Sequence, residues 1–182
     1  MVAIRAVLEP PLDDEWLYAL REAGYTSIKM DVDVYDEEER KKVMPNAKGF
    51  RPLKDYEHAF EKAREIFPGE VGTQLVMGIH GIQSDETLLR GVEHFASLGV
   101  PTLLLPFLPY GHGQRFKREG GGSTPSADRI LRIYERAAEI FSRYGVPPHE
   151  FTGGVSSLAE FMGKRQERAS VFKQPPDGQQ LG

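Results

Sequence analysis

Residues 71–108 read VGTQLVMGIHGIQSDETLLRGVEHFASLGVPTLLLPFL: an apolar run, an amphipathic stretch and a second apolar run. The first run, VGTQLVMGI (71–79), has strand length and meets glycine at its end. The last, PTLLLPFL (101–108), is almost wholly apolar, the pattern of a strand covered on both faces. Between them Ser84 or Asp85 is placed to cap a helix whose stripe is Leu88, Val92, Phe95 and Leu98, with Gly99 as its stop. A strand, a helix and a strand in so short a span predict a right-handed crossover and parallel pairing.

The same alternation extends both ways. VAIRAVL (2–8) reads as a strand, followed by Pro10-Pro11 and a helix with Asp13 as N-cap and Trp16, Leu17, Leu20 and Ala23 as its stripe, ended by Gly24. In SIKMDVDVY (27–35), Ile28, Met30, Val32 and Val34 alternate with Lys29, Asp31 and Asp33, the period of a strand. DEEERKKVMPNAKGF (36–50) predicts a short exposed helix and a loop broken by Pro45. A helix from near Asp55 carries Tyr56, Phe60, Ala63 and Phe67 at helical spacing and stops at Pro68-Gly69. After the fourth strand, YGHGQRFKREGGGS (110–123) predicts a glycine-rich loop. The last long helix has Thr124 as N-cap, Pro125 at its first position, and Ile130, Ile133, Tyr134, Ala137, Phe141 and Tyr144 on one face. Residues 151–163 read as a glycine turn and short helix, in which GGVSS (153–157) offers N–H groups either to an anion or only to a turn. The expected organisation is one domain over residues 1–169 and a Pro/Gln/Gly-rich flexible tail over 170–182.

The fold class is therefore α/β: a parallel sheet of about four βα units, either an open sheet or part of a (βα) barrel. In either case ligands belong at the carboxyl ends of the strands.

Composition narrows the chemistry. The chain has 182 residues and 40% apolar content, enough for a packed core. Its 27 acids and 23 bases leave a net charge of −4, which argues against nucleic acid and anionic lipid as partners. With no cysteine among these residues, disulfides, thiolate catalysis and cysteine-ligated clusters are excluded within them. The first sixteen residues lack the pattern of a signal peptide and no apolar run reaches membrane-spanning length, so the expectation is a cytoplasmic protein.

The polar residues at the strand ends are the candidates for function. They are Asp31, Asp33, Tyr35 and Asp36 after the second strand, Gly78, His80, Gln83, Asp85 and Glu86 after the third, and Tyr110, His112, Gln114 and Arg115 after the fourth. Carboxylates on such a rim accept from ribose hydroxyls or a substrate ammonium, and backbone beside glycine can approach a ring edge or a phosphate. The plain alternatives are a solvated edge strand for Asp31 and Asp33, ordinary loop histidines for His80 and His112, and a solvated helix for residues 36–42. His80, His112 and Asp33 together also make a two-histidine, one-carboxylate set suited to a metal ion.

The order of these features resembles the central and C-terminal part of a radical SAM enzyme. AGYTSIKMDVDVYDEEERKKVMPNAKGF (23–50) resembles that family's fourth strand and the charged segment after it. Residues 55–100, beginning DYEHAF and including GTQLVMGIHG, resemble the next helix, the fifth strand and the helix after it. PTLLLPFLPYGHGQ (101–114) resembles the sixth strand, and STPSADRILRIYERAAEIFSRYGV (123–146) the closing helix. The resemblance covers roughly residues 4–158 and lies in the order of degenerate motifs rather than in any one of them.

It implies S-adenosyl-L-methionine as a cofactor, with Asp33 near its ribose or amino group and Arg40 or Lys41 near its carboxylate. It places the strand 72–78 with Gly78 and His80, together with residues 105–107 and so Phe107, around the adenine. Substrate contacts would come from Tyr110, His112 and Arg115. The departure is large. The family's CxxxCxxC loop, its first two strands and its glycine-rich methionine-binding loop have no counterpart in these residues, and Thr152, Val155 and Ser156 stand where some relatives carry cysteines. A [4Fe–4S] cluster would have to come from a partner chain. The resemblance implies either a lobe of a split enzyme, joined by a protein partner or by self-association through the edge strand Val2–Leu8, or a non-catalytic nucleoside- or metabolite-binding or scaffold protein. The residues themselves leave open a cysteine-free metal-dependent barrel-like enzyme using His80, His112 and Asp33.

Overall fold

The computed structural model describes residues 4–44, 46–69, 71–79 and 84–146. The elements run in chain order as β1 (Arg5–Val7), α1 (Glu15–Glu22), β2 (Ser27–Lys29), α2 (Glu37–Val43), α3 (Ala47–Phe50), α4 (Leu53–Ile66), β3 (Val71–Met77), α5 (Asp85–Ser97), β4 (Thr102–Pro106), α6 (His112–Arg118) and α7 (Ala127–Tyr144). The four strands form one sheet in the order β1-β2-β3-β4, and all three pairings are parallel. The expected boundary at residue 169 and the tail beyond it lie outside the described residues, as does the 151–163 turn and helix.

One core sets the long helices against the strands as in a barrel wall rather than a doubly wound layer. Leu17 of α1, Tyr56 and Phe60 of α4, Leu88 and Phe95 of α5 and Ile133 of α7 share a single buried cluster with Ile28, Leu75 and Leu104 of the strands. The long helices therefore pack on one face of a sheet whose strands follow sequence order, which is the layout of part of a (βα) barrel. Registers fix what the other face carries, because residues level with one another in parallel strands point the same way. Val7, Lys29 and Gly72 form one row, Gln74 and Leu103 the next, and Val76 and Leu105 the one above.

The period-two reading of residues 27–35 holds in side-chain placement: Ile28, Met30, Val32 and Val34 are all 0% exposed. The backbone departs from it. After Lys29 pairs with Gly72, the next bridge joins Asp33 to Leu75, four steps along β2 against three along β3. The extra residue is a bulge, and Thr73 fills the gap. Its hydroxyl donates to the Met30 carbonyl at 2.8 Å and accepts from the Val32 N–H at 3.4 Å, and the residue is wholly buried. Thr73→Val keeps the shape and orphans both groups. We expect it to cost about 1–3 kcal/mol, read as a lower urea midpoint with an unchanged slope.

Four local expectations are corrected. Trp16 is 66% exposed, because the short α1 buries only Leu17 and leaves Trp16 on a flank that no described element covers. The N-cap position there is Asp14, which makes no capping bond, while the Asp13 carboxylate accepts from the Glu15 N–H at 3.0 Å. Ser126, not Thr124, caps α7, accepting from the Arg129 N–H at 3.3 Å, and so Pro125 precedes the helix instead of opening it. The glycine-rich stretch 110–123 contains the helix α6, whose Phe116 gives it an anchor on Phe107, ring centroids 5.8 Å apart.

Candidate functional site

The carboxyl ends of β1, β2 and β3 hold a continuous chain of polar side chains. Lys29 Nζ lies 2.9 Å from Asp31 Oδ1 and donates to Gln74 Oε1 at 2.6 Å. Gln74 Nε2 donates to Asp33 Oδ1 at 2.9 Å. Asp33 Oδ2 pairs with Lys48 Nζ at 2.5 Å, and Lys48 reaches Glu9 Oε1 at 3.5 Å. The Tyr56 hydroxyl donates to Glu9 Oε2 at 2.8 Å. Strand alternation turns Lys29 and Asp31 away from the face that buries Met30 and Val32, and the row Lys29–Gly72 sets Gln74 next along that inner face. Asp33, past the bulge and left-handed in its backbone, joins them through its bond to Gln74.

The electrostatics result from this crowding. Burial raises the pKa of Asp31, against the hydrogen bond and charge of Lys29, with Asp33 adding to the rise. Burial depresses Lys48, but its bond to Asp33 and the charges of Asp33, Glu9 and Asp31 outweigh that, and its pKa is raised. Burial, then the hydrogen bond to Glu9, lifts the Tyr56 phenol well above its ordinary value, so it stays a donor.

Asp33 stands out on the backbone as well. Its φ of +60° is left-handed, a conformation that aspartate tolerates better than most residues but still under strain. The strain is held by two ladder bonds, Asp33 N–H to the Gln74 carbonyl at 2.8 Å and Val76 N–H to the Asp33 carbonyl at 2.9 Å. A carboxylate accepts about four hydrogen bonds, and Lys48 and Gln74 take one on each oxygen. Asp33 therefore keeps capacity for ligand hydroxyls or an ammonium.

The other expected site residues divide. Phe107 continues β4 onto the rim, its N–H donating to the Met77 carbonyl at 2.7 Å, and its ring packs between Phe116 and the backbone of Gly122. Gly78 ends β3 with φ +90°, and a β-carbon there would fall on the Ser123 carbonyl oxygen and the Pro125 ring, so the absence of a side chain lets the two stretches of chain pack together. Arg40 is a correction. It is 0% exposed, and its guanidinium donates to the Val34 carbonyl at 2.9 Å and the Arg51 carbonyl at 2.6 Å while lying 5.6 Å from the Tyr56 ring centroid. Two of its nitrogens are thus taken up by carbonyls inside the protein, while Nε is buried without a hydrogen-bond partner. Lys41, its alternative, pairs with Glu38 at 2.6 Å on the surface of α2. Tyr110 is 76% exposed, and Arg115, on the outer side of α6, pairs with Glu119 at 2.8 Å. His80 and Gln83 lie outside the described residues, and of His112 only its backbone place, the first residue of α6, is described. Among the described residues no group of three or more histidines, cysteines or acids is placed to hold a metal ion.

Sequence reasoning missed Glu9, Lys48 and Tyr56. Lys48 sits in a stretch read as a loop, and the signal for it was Gly49. A β-carbon there would fall on the Met44 carbonyl, so the glycine lets α3 close onto α2 and carry Lys48 inward. A groove of about 760 Å³ between α4 and α5, lined by Lys54, Glu57, His58, Glu61, Arg64 and Ser97, belongs to the helical exterior and not to the strand ends.

No family model matches the chain, and no curated protein matches it in sequence. Solved structures match it in fold. Coproporphyrinogen III oxidase HemN from Escherichia coli, a radical SAM enzyme, aligns with a TM-score of 0.62 at 17% identity over 79% of this chain and 33% of that one. TsrM from Kitasatospora setae, a radical S-adenosylmethionine methyltransferase with cobalamin and a [4Fe–4S] cluster bound, aligns at 0.53 and 21% identity over 69% of this chain and 23% of that one. 2,3-Dimethylmalate lyase, of the PEP mutase/isocitrate lyase superfamily, aligns at 0.50 and 16% identity over 90% of this chain and 53% of that one. The chain thus spans a third or less of the two radical SAM structures and about half of the lyase. At these identities the likeness is one of fold, and no helix among the described residues is long and apolar enough to cross a membrane.

Proposed function

Starting from a radical SAM-like partial-barrel fold, we propose that this chain is a lobe that binds a nucleoside, S-adenosyl-L-methionine first among them, at the carboxyl ends of β2, β3 and β4. The observation that carries the reading is Asp33: a strained, largely buried carboxylate with unused acceptor capacity, at the end of β2 and separated by β3 from Leu105 and Phe107 of the β4 rim. A carboxylate on one strand end and apolar and aromatic side chains two strands along suit a ligand with hydroxyls or an ammonium at one end and a flat base at the other. These residues do not fit a [4Fe–4S] cluster, for which they offer no thiolate. Reductive cleavage of the cofactor is therefore not a reaction of these residues by themselves.

Gly78 shapes the rim in this reading, and Tyr110 and Arg115 stand at its outer edge, where a larger substrate would meet them. Titration calorimetry tests it. S-adenosylmethionine is expected to bind with measurable heat, and Asp33→Asn, which tolerates the left-handed backbone, is expected to weaken binding about 10- to 100-fold, the range of a lost charged hydrogen bond. No heat with S-adenosylmethionine, S-adenosylhomocysteine or adenosine would end the nucleoside reading.

A further inference from the structure

We propose that two copies of this chain close one eight-stranded parallel barrel, β4 of each copy pairing along β1 of the other. This goes beyond the nucleoside reading and stands on the fold alone.

All-parallel sheets are buried on both faces, and barrels of eight parallel strands remove their edges altogether. This sheet supplies half of such a barrel: four strands in sequence order, with their long helices on one face. Among the described strands, β1 pairs only with β2 and β4 only with β3. Rotation by a half-turn about the barrel axis sets each β4 beside the other copy's β1, a head-to-tail contact that occurs twice and closes.

The side chains of the β1 flank are made for cover. Ile4, Val7, Leu12 and Trp16 are 45%, 64%, 89% and 66% exposed. Asp14 at the start of α1 meets His58 of α4 at 3.1 Å, which sets the side of α1 that carries Tyr18 toward α4. Trp16, on the other side of the buried Leu17, therefore points past β1. The complementary flank is on α7. Arg129 and Arg143 pair with Asp85 and Glu93 of α5 at 2.6 and 2.8 Å, which fixes the side of α7 that faces α5. The opposite side carries Ala127, Leu131 and Ala138, a low apolar seat for an indole. The helix ring α1, α4, α5, α7 then continues into the second copy's α1. Inside, Leu103 and Leu105 of β4 meet Val7 of the other copy's β1 in one apolar layer.

Closure also completes the polar site. Glu9, just past β1, is the outermost member of the Glu9–Lys48–Asp33 chain. Across the junction it faces the other copy's Phe107, so each of the two mouths is bounded by residues of both copies.

Light scattering on the full chain is expected to give about twice 20.4 kDa. The double variant Val7→Asp/Trp16→Glu is expected to halve that mass with unchanged circular dichroism. The absence of cysteine permits a second readout. Val7→Cys and Leu105→Cys, mixed and treated with a short bis-maleimide, are expected to cross-link to each other, and neither is expected to cross-link alone. A monomer across micromolar concentrations overturns the proposal. So does self-linking of Val7→Cys, which would mean edge-to-edge pairing, or a stable one-to-one complex with a different polypeptide on the β1 edge. None of these outcomes bears on the calorimetric test, so the two readings fail separately.

Discussion

Arg40→Met is expected to destabilise the fold by about 2–4 kcal/mol. Methionine replaces the apolar stem of arginine but none of its donors. The Val34 carbonyl, inside the protein, loses its 2.9 Å bond, and the Arg51 carbonyl loses its bond at 2.6 Å. An orphaned buried acceptor costs about 1–3 kcal/mol. The Tyr56 ring also loses the cation 5.6 Å from its centroid, worth about 1 kcal/mol more when desolvated. These losses are a large fraction of the roughly 5–15 kcal/mol that holds a domain together. Arg40→Lys should lie between the parent and the methionine variant, because one ammonium cannot span two carbonyls as the planar guanidinium does. Urea unfolding checks both. A loss under about 1 kcal/mol for Arg40→Met would mean that the two carbonyls find water and that Arg40 is not the clamp between α2, the end of β2 and the residues before α4.

That clamp shows where sequence reading stops. The strands and long helices were legible from local pattern: period two for residues 28–34, short apolar runs for 2–8, 71–79 and 101–108, and about 3.6 for the stripes of α4, α5 and α7. Their parallel order was legible from the alternation of strand and helix. Arg40 was not, because it lies in EEERKK, whose composition is that of a solvated helix, and nothing local says that one of its three bases turns inward. Asp33 was legible as a rim residue, but its left-handed backbone was not, since the bulge that produces it depends on the register against Gly72 and Leu75, forty residues away. Glu9, Lys48 and Tyr56 come from three different segments and meet only through tertiary packing. Trp16 misled in the opposite direction. A tryptophan at the start of an amphipathic helix reads as core, and only the structure shows that the position beside it, Leu17, is the one that faces inward.

Gly78→Ala carries the other large effect, expected at about 2–5 kcal/mol, and here the backbone and the packing act together. At φ +90° an L-residue sits outside its favoured regions, a strain of about 1–3 kcal/mol. The added methyl would fall on the Ser123 carbonyl oxygen and within 2.8 Å of Pro125 Cδ. Relief by shifting that segment is obstructed, because the Ser123 N–H donates to the Gly78 carbonyl at 2.9 Å and ties the two stretches of chain together. Overpacking of this kind adds about 1–3 kcal/mol. The consequence reaches the site. Gly122, next to Ser123, lies against Phe107, so a displaced 121–125 segment takes the aromatic wall of the rim with it. Gly78→Ala should therefore lose nucleoside binding along with stability. Adding Pro125→Ala should restore part of both, since it removes one of the two obstacles, and neighbours that share a contact couple in this way. If instead Gly78→Ala kept its full stability and lost only binding, the glycine would be touching the ligand and not the 121–125 segment. The assignment of Gly78 to chain packing would then fail.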